Sequence, residues 1–97
     1  MKFQTMQQVR HIIVNGLKGY PVEVYLFGSQ ATGQAGTISD IDVAVHPLKP
    51  LPVGLLSRIR IELEESNVPY HVDLVDLSQL GSEWLQRVRK EGVRWSD

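Results

Sequence analysis

The chain has 97 residues, 42% of them hydrophobic and 22% charged, with ten Lys and Arg against eleven Asp and Glu, a net charge of −1 and no Cys. That length suits a single domain over residues 1–97, and the lack of Cys excludes a disulfide scaffold and a thiolate zinc site, while His11, His46 and His71 are too scattered for a ligand set. Apolar runs of about five residues fall far short of the ~20 that cross a bilayer, and Lys2, Arg10, Lys18 and Lys49 are the only cations in the first half. No membrane span, secretory leader or dense nucleic-acid contact is therefore expected, and the cytoplasm is the default location.

Thr5 and Gln8 form a capping-box pattern, after which Met6, Val9, Ile12, Ile13 and Leu17 recur at helical spacing until Gly19 and Pro21. The pattern predicts an amphipathic helix over 5–18. VEVYLF, residues 22–27, is β-branched and aromatic between Pro21 and Gly28 and reads as a buried strand. The stretch from Gly28 to Ser39 is rich in Gly, Ser and Thr and reads as a loop with room for one helical turn, in which Gly33 and Gly36 serve as turn residues. DIDVAVH alternates Asp40, Asp42 and Ala44 with Ile41, Val43 and Val45, the period of a strand with one apolar side. Pro47, Pro50 and Pro52 break the chain. Leu55, Leu56, Ile59 and Leu63 then mark a helix, supported by Arg58/Glu62 and Arg60/Glu64 at i,i+4 and ended by Asn67 to Pro69. YHVDLV, residues 70–75, is a third strand with His71, Asp73 and Val75 on one face. A last helix carries Leu80, Trp84, Leu85 and Val88 as its core stripe, has Arg87, Arg89 and Lys90 near its end, and stops at Gly92. Trp95, beyond it, suits either a core lid or a partner contact. The order predicts an α/β domain with a small mixed β-sheet flanked by helices.

Candidate chemistry lies at the ends of the strands. Gly28 permits a sharp turn after a strand, and Ser29 at the start of a helical turn offers a hydroxyl and free N–H groups to an anion, the reading its context favours, although taken alone it could be an ordinary helix cap. Asp40 and Asp42, two apart on a strand, share one face. They are either its solvated side or a pair whose repulsion is relieved by an oxygen-coordinated divalent cation such as Mg²⁺. Asp73 could add a third carboxylate, whereas Asp76 has the opposite parity. His71 reads as a structural neighbour of Asp73 rather than a catalyst.

FGSQATGQAGTISDIDVAV resembles the signature of the minimal nucleotidyltransferases, small members of the polymerase-β-like superfamily: Gly-Ser, a short gap, then Asp-x-Asp among apolar residues. HVDLVDL is similar to the strand that carries the family's third carboxylate, and RKEGVRW to its last helix and turn. The resemblance implies the nucleotidyltransferase fold and Mg²⁺-dependent transfer of AMP from ATP or another nucleoside triphosphate. It assigns Gly28 and Ser29 to the triphosphate, and Asp40, Asp42 and Asp73 to catalysis and metal. It further implies a hetero-oligomer with a HEPN-type toxin, which the transferase silences as antitoxin by adding AMP to a tyrosine. Gln30 stands where the family often has Arg, so the alternative is a catalytically degenerate module that neutralises its partner by contact.

Overall fold

The computed structural model describes residues 2–27 and 41–95. Helix α1 (Lys2–Gly16) leads into strand β1 (Val22–Phe27); strand β2 (Ile41–Pro47), helix α2 (Leu55–Glu65), strand β3 (Val72–Asp76), a 3₁₀ turn (Leu77–Gln79), helix α3 (Ser82–Glu91) and strand β4 (Val93–Arg94) follow. The sheet order is β3-β2-β1-β4, with β2–β3 parallel and the other pairs antiparallel, so the expected small mixed sheet flanked by helices is found.

Alternation along the strands separates two layers. Val24 and Leu26 of β1, Ile41, Val43 and Val45 of β2 and Leu74 of β3 face α1 and α2. Val9 and Ile13 meet them from α1, Leu17 from the turn just after it, and Ile59 and Leu63 from α2, all buried. Each such side chain contributes about 1.5–3 kcal/mol of hydrophobic stabilisation. Gly16 leaves room for α2 against α1, since a Cβ there would lie 2.9 Å from Ile59 Cγ1. Gly19 reverses the chain at φ 91°, a left-handed conformation that disfavours any side chain.

The opposite face is smaller. Tyr25, Ala44, Leu77 and Val88 form its buried centre, with Phe27 and Leu85 beside them, and α3 lies across it. Among the described residues no helix is long and apolar enough to cross a membrane.

Several boundaries differ from expectation. The first helix begins at Lys2, so Thr5 lies inside it rather than capping it. Leu80 and Trp84 are 39% and 43% exposed rather than core. Leu80 precedes α3, and from the helix itself Leu85 and Val88 enter the shallow layer beneath it. Trp84 instead lies under the Arg87 guanidinium, 5.7 Å from ring centroid to Cζ. Strand β4 was not expected. It pairs Val93 with Leu26 and Arg94 with Tyr25, and it carries Trp95 into the larger core, where the Trp95 N–H donates to Val24 O at 2.7 Å and Arg10 Nη2 donates to Trp95 O at 2.9 Å.

Gly92 makes this return possible. A Cβ there would meet Val88 O at 2.6 Å and Leu26 O at 3.0 Å, both backbone atoms that cannot swing aside. Gly92→Ala is expected to cost about 1–3 kcal/mol, read as a lower urea midpoint. Gly81→Ala is the control, since its Cβ would meet only Glu83 Oε1 at 3.9 Å, and as an N-cap change with no side-chain cap bond to lose it should lower the midpoint less than Gly92→Ala does.

Candidate functional site

The register of β2 brings two of the sequence-selected carboxylates together. Asp42 is the lateral partner of Asp73 across the parallel β2–β3 pair, and Phe27 is its partner across β1–β2. Alternation puts Asp42 and Asp73 on the face that also carries Ala44 and Tyr25, opposite the larger core, with Asp42 half-buried and Asp73 exposed. Neighbouring strands lie about 4.8 Å apart, so two like charges stand side by side. The chain leaves β1 at Phe27 and enters β2 at Ile41, so both ends of the connecting segment border Asp42. Gly28, Ser29 and Asp40 lie outside the described residues.

The donor set suits a hard divalent cation, because paired carboxylate oxygens are the ligands that Mg²⁺ takes. Among the described residues no group of three or more His, Cys, Asp or Glu is placed to hold a metal. A complete ligand set therefore calls on Asp40 or on the phosphates of a substrate. Asp76 has a structural role instead, its carboxylate accepting from Ser78 N at 2.9 Å and Ser78 Oγ at 2.6 Å and so capping the 3₁₀ turn. His71 precedes β3 and is exposed, and its carbonyl accepts from Ile41 N at 2.9 Å, which fixes the β2–β3 register next to the Asp pair.

The far end of the same face holds a cluster that sequence reasoning missed. Glu23, whose side chain is 14% exposed, is the lateral partner of His46. Its Oε1 receives Arg89 Nη2 at 2.9 Å and Tyr25 Oη at 3.1 Å, with His46 Nδ1 also at 3.1 Å, while Arg94 Nη1 stands 4.0 Å from Oε2. Burial alone would raise the Glu23 carboxyl, but hydrogen bonds from Arg89, His46 and Tyr25, together with the charge of Arg89, outweigh it and hold the group down at about 2. One carboxylate thus ties α3 and β4 to the centre of the sheet. The available signal was a lone acid inside an otherwise apolar strand, sharing parity with Tyr25.

A mixed sheet of this order, with two helices on one face and an acid pair at the end of the other, has the fold of a polymerase-β-like nucleotidyltransferase. The chain belongs to the "Polymerase beta, Nucleotidyltransferase" family, whose model matches residues 8–94. It is 33% identical over 67 residues to a Haemophilus influenzae protein named "Probable protein adenylyltransferase MntA", an alignment that takes in 69% of this chain and 59% of that protein's length. Among solved structures it is similar to a toxin–antitoxin with AMP-PNP (29% identity, TM-score 0.67, 90% of this chain and 72% of that one). It is also similar to the toxin–antitoxin MntA-HepT (26% identity, TM-score 0.58, 93% of this chain and 71% of that one).

Glu23 supplies a pH test. Its folded pKa lies below the ordinary 4.5, so its contribution is complete above that value and is lost as pH falls from 4.5 towards 2. Glu23→Gln should lower stability at pH 7 by on the order of 1–3 kcal/mol. The gap between wild type and variant, followed by urea denaturation, should narrow steadily below pH 4.5.

Proposed function

We propose that this protein is a Mg²⁺-dependent nucleotidyltransferase that moves AMP from ATP onto a tyrosine hydroxyl of a HEPN-type toxin and so acts as the antitoxin of a pair. The observation that carries this reading is the lateral pairing of Asp42 with Asp73 on one sheet face, at the end where the chain departs for Gly28 and Ser29. Membership of the nucleotidyltransferase family supports it, as do the adenylyltransferase name of one relative and the toxin–antitoxin assemblies of two structural neighbours.

In this reading Gly28 and Ser29 bind the triphosphate through backbone N–H groups and the Ser hydroxyl. Asp40, Asp42 and Asp73 would hold the metal, and Asp73, on the edge strand β3, would also face the acceptor. Bound Mg²⁺ supplies neutralisation of the charge that accumulates on the phosphates and on departing pyrophosphate. The acceptor oxygen attacks the α-phosphorus in line, the bond from that phosphorus to pyrophosphate breaks, and the hydroxyl proton passes to the Asp73 carboxylate. Positioning and electrostatics supply most of the rate.

The test is the intact mass of a co-purified HEPN partner after incubation with this protein, ATP and Mg²⁺. The expected result is a gain of one or more AMP units, reduced at least about a hundredfold in rate by Asp42→Asn. A partner that is bound and inhibited yet unchanged in mass would replace the transferase with a contact inhibitor, the outcome that Gln30 in the family's usual Arg position would favour.

A further inference from the structure

Among the described residues, strand β3 is the outermost strand on its side of the sheet. Its parallel register with β2, fixed by the bond from Ile41 N to His71 O, directs the N–H and C=O groups of residues 71, 73 and 75 inward and those of Val72 and Leu74 outward. The Leu74 carbonyl accepts from Arg60 Nη2 at 2.7 Å, so Arg60 covers part of this edge rather than pairing with Glu64 as its spacing had suggested. Alongside runs a groove of about 310 Å³ lined by Arg60, Leu63, Glu64, Val68, Tyr70 and Asp73 among others. The groove therefore runs along the β3 edge on the side of the larger core and reaches the strand at Asp73.

We propose that this edge is the acceptor-binding surface, and that it receives an extended peptide segment as an added strand, with the residue to be modified lying laterally beside Asp73. The inference rests on the transferase reading above and names the form in which the substrate is presented. Outward N–H and C=O groups spaced two residues apart recognise extended backbone and not a helix. Because alternate residues face opposite sides, a residue level with Asp73 projects onto the Asp42–Asp73 face, one strand spacing from the carboxylate that would take its proton. Its two neighbours project to the other side, beside Val72 and Leu74 and into the groove formed with Leu63, Val68 and Tyr70. The preferred acceptor is a tyrosine between two apolar residues. Arg60 gives way to the incoming strand and until then shields the edge from unwanted pairing.

The test uses the full chain with Mg²⁺ and ATP, and three forms of one short synthetic peptide with a central tyrosine between valines. One form is unmodified, one is N-methylated at the tyrosine and every second residue, and one is N-methylated at the residues between. Labelling with AMP is followed by mass, and amide hydrogen exchange is followed at Val72 and Leu74. The unmodified peptide should be labelled and should slow exchange at both amides. One methylated form should lose labelling at least tenfold while the other keeps it, and the form that fails reports whether the strand adds parallel or antiparallel. Equal labelling of both methylated forms, equal loss in both, or labelling of an intact protein acceptor but of no peptide would overturn edge docking and leave the transferase standing. Exchange at Val72 and Leu74 that slows with protein concentration alone would assign the edge to a second copy, which also overturns it. Absence of AMP transfer to any acceptor, together with no rise in Tm on adding Mg²⁺ and ATP, would remove the transferase reading and this proposal with it.

Discussion

Strand β2 is hydrogen-bonded on both sides, and its alternation sets the content of both layers of the protein. Ile41, Val43 and Val45 are almost wholly buried against α1 and α2, while Asp42, Ala44 and His46 point the other way. A slip of one residue would bury two polar side chains in the apolar layer and deliver three aliphatic ones to the shallower face, at a cost of several kcal/mol for each unpaired charge. The register is therefore held by the larger core, and the placing of Asp42 beside Asp73 follows from it. Ala44 matters for the same reason: its small side chain, fully buried, lies in the centre of the second face among Leu77 of the 3₁₀ turn, Tyr25 and Val88 and leaves the two ends of that face polar.

Those ends treat carboxylates differently. Glu23 is surrounded by donors from β1, β2 and α3, an arrangement that satisfies a partly buried acid within the chain and fastens three elements together. Asp42 and Asp73 are instead set side by side across the parallel β2–β3 pair, where like charges on neighbouring strands disfavour each other.

Much of this was legible in the sequence because it was carried by periodicity. The apolar alternation of residues 41–45, the 22–27 strand and the spacing of Val9, Ile13 and Leu17 each reported a face, and the common parity of Asp42 and Asp73 followed from the two strand patterns. What escaped depended on partners distant in sequence. Strand β4 is two residues long and exists because Leu26 and Tyr25 pair with it, so no local signal marks it. Glu23 acquires its role from Arg89 and Arg94, and Arg60 from the Leu74 carbonyl, neither of which helical spacing reveals. Trp84 and Leu80 were misplaced because the face beneath α3 is too small to need a full helical stripe. Of the residues selected for chemistry, Asp42 and Asp73 can be placed, whereas Gly28, Ser29 and Asp40 lie outside the described residues.

The parallel pairing of β2 with β3 also bears on how the protein assembles itself. The antiparallel β1–β2 contact joins strands that are consecutive in the chain, but β3 reaches β2 only after α2 has crossed the face of the sheet. Closing that crossover costs more chain entropy than the earlier pairing and is offset by burial of Ile59, Leu63 and Leu74. The two carboxylates meet in the same step. A chain lacking the crossover would expose apolar surface without yet possessing the acid pair.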